Sequence, residues 1–329
     1  MEHKNDILYT CDNNYLDIML ASIISLLKIS KLDNIRLHII TDNFNKNDYN
    51  KVYQILSIYP NVELYFYNLD EYDINKYNIP KWCGCRIANS RLFFQDILGK
   101  NIDSIDNLLY IDCDTIIVSD LRDIIKFSDE TICACKDRTH NKYCLELNLD
   151  KYFNSGIIYF NVKKWIKEDC QKLIKEYLKD NKVNYNFPDQ DILNLVFKDK
   201  IKMLPLNYNV NPDVFIYKDL FGNIYFNKKM RTINYDEAND ARLNPKILHS
   251  YALANIKPWS NNKVNPFNEI FTEYIKLVNE NFQLEELKYI KKIMSVNPTI
   301  FYAYLFIRPY ISTELKNNGM KLLKKMTHN

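Results

Sequence analysis

Glycine is scarce: the chain has 5 in 329 residues, beside 25 Tyr and 17 Phe. A sequence so poor in the most permissive residue and so rich in rings is not a low-complexity or disordered segment, and its core should be aromatic. No window approaches eighteen uninterrupted apolar residues, so no spanning helix is expected. The opening Met1-Glu2-His3-Lys4-Asn5-Asp6 lacks the layout of a signal peptide, which predicts a cytoplasmic protein whose 8 Cys stay reduced. Cys83-x-Cys85 and Cys133-x-Cys135 lack the two-residue gap of zinc knuckles and redox pairs and read as plain, largely buried thiols. A formal net charge of +3 is too small to mark a nucleic-acid binder, and no nucleic-acid partner is expected.

What is present is alternation. Residues 7–10 read as a strand, 15–30 as an amphipathic helix, 35–40 as a strand, 47–58 as a helix, 62–67 as a strand and 87–98 as a helix, followed by the apolar run Leu108-Leu109-Tyr110-Ile111. Strand and helix in this order predict an α/β fold with a mostly parallel sheet, whose ligands sit at the carboxyl ends of the strands. Beyond residue 130 the alternation loosens. Strands are expected at 131–135, 156–162 and 246–249, helices at 163–179 and 188–197, and loops across 205–245. Helices are expected again after about 265, so the division is set at 1–265 for the catalytic domain and 266–329 for a helical tail.

The apolar run ends in Asp112-Cys113-Asp114. Two-residue periodicity places both carboxylates on one side of an extended chain, a pair suited to a hard divalent cation that also binds phosphate oxygens. The same pattern ends the first strand of haloacid-dehalogenase-type phosphohydrolases, with the first Asp as nucleophile. Here a long βαβ stretch precedes it. Asp12 and Asn13 can cap the helix that follows them. Arg91 suits a carboxylate or a phosphate. Asp189-Gln190-Asp191 opens a helix after Pro188, where a capping Asp is common. His249, at a strand end, can complete a cation site with Asp112 and Asp114.

Taken together, Tyr9-Thr10-Cys11-Asp12-Asn13-Asn14-Tyr15, Arg91, Asp112-x-Asp114, Tyr152-Phe153-Asn154-Ser155-Gly156, Asp189-Gln190-Asp191 and His249 with Lys257-Pro258-Trp259 resemble glycosyltransferase family 8, the family of bacterial lipopolysaccharide hexosyltransferases and glycogenins. The resemblance covers roughly residues 6–260. It implies a GT-A nucleotide-sugar transferase fold, a UDP-hexose donor, Mn²⁺ or Mg²⁺, and a glycan or glycolipid acceptor. Carried over residue by residue, it implies that Thr10, Asp12 and Asn14 hold uracil and ribose. Arg91 would lie near the donor sugar and phosphates, Asp137 would bind sugar hydroxyls, and Lys257 would contact the departing phosphate. Asp112, Asp114 and His249 would hold the metal, and Asn154, Asp189 and Gln190 would face the reacting sugar, with Asp191 structural. Gly156 would keep the backbone close to that sugar.

The expected chemistry is transfer with retention by same-face attack, with double displacement through Asp189 or Asp191 the alternative. One departure from the family pattern stands out: Ala252 replaces a Gly and Lys257 follows His249 by eight residues rather than six. The tail interleaves Lys288, Lys291, Lys292 and Arg308 with Tyr289, Phe301, Tyr302 and Phe306. Such a segment can lie at the inner face of a membrane or pack as a cap. A non-catalytic nucleotide-sugar-binding protein on the same fold is the other class of function, and a broken metal site would be its mark.

Overall fold

The computed structural model describes residues 4–81, 84–127, 129–139, 141–180, 185–226, 231–251, 256–260 and 265–283. They fall into two compact units, the first ending at His249 and the second beginning at Ser250.

In the first unit, strands β1 (Asn5–Asp12), β2 (Ile35–Asp42), β3 (Val62–Asn68), β4 (Asn107–Ile111), β6 (Ile132–Lys136), β7 (Phe153–Asn161) and β8 (Ile201–Leu204) form one sheet in the order β3-β2-β1-β4-β7-β6-β8. β1 runs parallel to β2 and β4, β2 to β3, and β6 to β8, while β7 is antiparallel to both of its neighbours. The expected mostly parallel α/β sheet is therefore what forms. β2 is buried along its whole length and β1 along nearly all of it, as central parallel strands covered on both faces must be. β5 (Thr115–Ile117) leaves the sheet and pairs antiparallel with β9 (Ile247–His249), Thr115 opposite His249.

The helices α1 (Leu16–Ile29) and α2 (Lys46–Leu56) connect the first strands, α2 opened by a capping box between Asn45 and Asp48. α1 is buried almost throughout and carries two internal serines. Tyr9, Ser22 and Thr115 form a chain of hydroxyls at 3.1 and 2.7 Å that ends on the Asp112 carbonyl, and Ser25 Oγ accepts from the Ile117 amide. This thread fixes β5, and with it the turn between β4 and β5.

Several elements differ from expectation. Residues 87–98 form a 3-10 turn (Ile87–Phe93) before a short α3 (Phe94–Leu98), so Arg91 sits on 3-10 backbone. The helix expected over 163–179 is two, α5 (Val162–Lys167) and α6 (Cys170–Asp180), after α4 (Asn141–Glu146), with the break at Asp169, whose φ is 50°. α7 (Pro188–Val196) forms as read. β8 was not anticipated. The stretch 205–245 holds α8 (Asp213–Ile216), α9 (Asp219–Tyr225) and α10 (Tyr235–Leu243), the last started by an Asn234–Glu237 capping box.

The core is aromatic, as the composition requires: Trp165 packs against Phe94, Phe160 and Phe197 with centroids 5.0–5.3 Å apart. In the second unit, α11 (Asn268–Val278) buries Phe271 and Ile275, and Trp259 lies 6.0 Å from the Phe271 ring. The basic-aromatic tail lies outside the described residues. Among those described, no helix is long and apolar enough to cross a membrane. None of the described cysteines forms a disulfide, and burial pushes the Cys133 thiol up to about 11, away from reactivity.

Candidate active site

β1 and β4 end side by side, and their ends open the site. Thr10 Oγ1 lies 3.1 Å from the Tyr110 hydroxyl, and Tyr110 donates in turn to Asp112 Oδ1. Tyr110, which sequence reading took for core alone, thus links the first strand to the carboxylate pair. Asp12 is buried and accepts from the amides of Asn14 and Tyr15 at 3.1 and 3.2 Å. It caps the 3-10 turn Asn13–Tyr15, the role a strand-end Asp takes by default, and Asn14 is exposed beside it.

Asp112 and Asp114 do not lie on extended chain. β4 stops at Ile111 and a turn carries the two carboxylates together, which corrects the two-residue periodicity expected for them. The Asp112 amide donates to the Gly156 carbonyl at 2.8 Å and pins the turn to β7. His249, at the end of β9 and 2 % exposed, faces both: its Nε2 is 3.1 Å from Asp114 Oδ1 and 3.6 Å from Asp112 Oδ2. One donor atom from each of the three residues falls within 4.8 Å of the others. Two carboxylates and an imidazole nitrogen are a donor set for a divalent cation. The Asp112 carboxyl is held above the usual carboxylate range, first by burial and then by the charge of Asp114, against Arg91, His249 and the Tyr110 hydrogen bond.

Arg91 is buried and fully engaged. Its guanidinium donates to Asp112 Oδ1 at 2.9 Å, to the Ser155 carbonyl at 2.7 Å and to the Ala88 carbonyl at 2.9 Å. It pairs with Asp189 at 3.2 Å and lies 4.5 Å over the Tyr110 ring. Burial works against its charge, but Asp112, Tyr110 and Asp189 outweigh it and its pKa is raised.

The start of β7 and the first turn of α7 supply the remaining polar groups. Asn154 Nδ2 donates to Asp137 Oδ2 and Gln190 Oε1, both at 3.1 Å. Gln190 Oε1 also accepts the Ser155 amide at 2.9 Å, and Ser155 Oγ donates to Asp189 Oδ2 at 2.9 Å. Asp191 points away into a buried acceptor role for Tyr143, Tyr152 and the Phe187 amide. Asn209, in the stretch read as loop, sits at 2.9 Å from His249 Nδ1 and donates to Asn154 Oδ1 at 2.8 Å. The structure thus joins Arg91, Asp112, Asp114, Asp137, Asn154, Asp189, Gln190 and His249 in one connected network.

Lys257 belongs to the second unit, where its ammonium is 3.3 Å from the Ser250 carbonyl and 5.3 Å from the Trp259 ring centre. The loop carrying Ala252 lies outside the described residues.

Fold and site define an α/β protein with two carboxylates and an imidazole, a set that could hold a metal ion, gathered at the carboxyl end of a mostly parallel sheet. The chain belongs to glycosyl transferase family 8, whose family model matches residues 6–263. It is 30% identical over 208 residues to a lipopolysaccharide 1,2-glucosyltransferase of Escherichia coli, across 60% of either chain. The chain thus spans about three fifths of that relative's length. The bifunctional glycosyltransferase WbbM superposes with a TM-score of 0.66 at 26% identity, over 84% of this chain and 50% of that one. The galactosyltransferase LgtC, solved with donor and acceptor sugar analogues, gives a TM-score of 0.62 at 20% identity, over 82% of this chain and 95% of that one, a likeness of fold.

Proposed function

We propose that the protein is a retaining, metal-dependent hexosyltransferase that moves glucose or galactose from a UDP-hexose onto a glycan or glycolipid acceptor of lipopolysaccharide or another surface polysaccharide, on the cytoplasmic side of the membrane. The observation that carries this reading is the convergence of Asp112, Asp114 and His249 on one point, beside an arginine held among carboxylates. Family membership and the similarity to the E. coli glucosyltransferase support the substrate class.

In this reading Asp112, Asp114 and His249 hold Mn²⁺ or Mg²⁺, which when bound neutralises charge building on the leaving diphosphate. Arg91 holds Asp112 in place and adds fixed positive charge near the same oxygens. Thr10, Asp12 and Asn14 take the uracil and ribose end, and Asp137, Asn154 and Asp189 the sugar hydroxyls. Gln190 is uncharged, and its carbonyl oxygen is already bound by the Ser155 amide and Asn154. It positions the sugar rather than attacking it. Asp191 is fully buried under tyrosine hydroxyls and the Phe187 amide, which leaves Asp189 as the carboxylate for a double displacement. Asp189 is itself committed to Arg91 and Ser155, so same-face attack is the preferred path, the leaving phosphate taking the acceptor proton.

The test is UDP release by the purified protein with Mn²⁺, offered UDP-glucose, UDP-galactose and UDP-N-acetylglucosamine in turn. Turnover of one hexose donor, above that without metal, is expected. No release from any donor, with or without a glycan acceptor, would contradict the assignment.

A pH dependence follows from the raised Asp112 carboxyl. A proton there must leave before a cation binds, so Mn²⁺ affinity should rise with pH through a carboxyl that titrates above the ordinary aspartate value of about 3.9. Binding measured by Mn²⁺ electron paramagnetic resonance is expected to weaken on acidification, with the carboxyl's loss setting in above the ordinary aspartate range. An acid loss of affinity no higher in pH than an ordinary, exposed aspartate would give would contradict the burial of this carboxyl.

A further inference from the structure

Outside the residues that the family resemblance named, Asn209 touches His249 on the side away from Asp112 and Asp114. Asn209 is fully buried and bridges Asn154 to His249. Its segment is tied to β9 by backbone: the Val210 amide donates to the Ile247 carbonyl and the His249 amide to the Val210 carbonyl, both at 2.9 Å. The backbone thus fixes where Asn209 stands relative to His249.

The direction of the side-chain hydrogen bonds can be deduced, because the network starts from groups with no choice of role. The Ser155 and Gly156 amides can only donate, and they meet Gln190 Oε1 at 2.9 Å and Asn154 Oδ1 at 3.0 Å. Those two atoms are acceptors. Asn154 then turns its NH₂ to Gln190 Oε1 and to Asp137, a carboxylate that accepts. The Asn209 atom 2.8 Å from Asn154 Oδ1 must be its own NH₂, which leaves the Asn209 carbonyl oxygen facing His249 Nδ1. A carbonyl oxygen only accepts, so Nδ1 carries the hydrogen.

We propose that Asn209 is a positioning residue that holds the His249 ring with hydrogen on Nδ1, so that Nε2 presents its lone pair to a cation shared with Asp112 and Asp114. Asp137, Asn154 and Gln190, expected from the resemblance to face the sugar, set the orientation of Asn209 through this chain. The sugar end and the metal end of the site are thereby wired by fixed hydrogen bonds. Outer partners of this kind orient a metal-bound imidazole and typically change affinity by about 10- to 100-fold. The assignment rests on the metal reading above, and the controls separate the two.

Mn²⁺ affinity is measured by electron paramagnetic resonance without nucleotide or sugar. Asn209→Leu, similar in size and without an acceptor, is expected to weaken binding by about 10- to 100-fold. Asn209→Asp, which keeps an acceptor against Nδ1 but sets its second oxygen against the Asn154 acceptor, is expected to recover part of that loss. Wild-type affinity in Asn209→Leu, or an equal fall in both variants, would overturn the proposal. If His249→Gln binds Mn²⁺ like the wild type, the metal reading itself fails and the assignment with it. A second measurement needs no Asn209 variant. With ¹⁵N-histidine in the metal-free protein at alkaline pH, the His249 signals, assigned by their loss in His249→Gln, should show hydrogen on Nδ1. Nδ1 without hydrogen overturns the proposal.

Discussion

Asp114→Asn is expected to lower metal-dependent turnover of the UDP-hexose by on the order of a thousandfold, about 4 kcal/mol of transition-state stabilisation. The substitution preserves shape, so the loss reports charge and ligation. Asp114 Oδ1 lies 3.1 Å from His249 Nε2, closer than Asp112 Oδ2 at 3.6 Å. A neutral amide there removes one of the two negative charges that would hold the cation and offers an NH₂ donor in place of a lone pair. Asp112 supplies only the other of the two charges, with its Oδ1 already committed to Arg91 and Tyr110. Asp114 is half-buried at the end of a turn, so thermal stability should change little. Initial rates at saturating Mn²⁺ check this. A fall of less than about tenfold, 1.4 kcal/mol, would mean that the metal does not act through this carboxylate.

Gly156→Ala should be nearly as damaging, for a reason of space. A Cβ built at Gly156 would stand 2.1 Å from His249 Cε1 and 2.7 Å from Asp112 Oδ2. Neither neighbour can retreat cheaply. His249 is buried against Asn209, and Asp112 is held by Arg91, by Tyr110 and by its own amide on the Gly156 carbonyl. Overpacking of this sort typically costs about 1–3 kcal/mol of stability. It should also spread the metal ligands and weaken Mn²⁺ binding by about 100-fold, the upper range for displaced ligand support. Urea unfolding and a Mn²⁺ titration measure the two effects. Unchanged Mn²⁺ affinity in a folded Gly156→Ala protein would show that β7 does not abut the trio as described. The resemblance had this glycine serving close approach to the sugar; the structure gives it His249 and Asp112 as neighbours.

Much of the first half of the fold was legible because its signals are local. β1, α1, β2, α2 and β3 each show a clear period, and α2 carries its own capping residues. The grouping of Asp112, Asp114 and His249 was legible as residue types at strand ends. Its geometry was not: a turn that pinches Asp112 toward Asp114 depends on β5 pairing with β9 more than a hundred residues away. Asn209 carried no signal, since Leu206-Asn207-Tyr208-Asn209 has neither period nor motif chemistry of its own. Its role arises from the backbone bridge between Val210 and Leu248. Tyr110 looked like one more apolar residue of β4, and only the adjacent ends of β1 and β4 bring its hydroxyl between Thr10 and Asp112. The helix expected through Arg91 became a 3-10 turn, which places the guanidinium against the Ser155 carbonyl and Asp112 together. The helix α10 was hidden by weak amphipathic character, although Asn234 and Glu237 form a recognisable start signal.

The most direct test of the central claim is a calorimetric titration of UDP into the protein with and without Mn²⁺, repeated with Asp114→Asn. Binding that needs Mn²⁺ in the wild type and is lost in the variant is the predicted result. Equal UDP binding in all these samples, or none in any, would contradict a nucleotide diphosphate held through a cation on Asp112, Asp114 and His249.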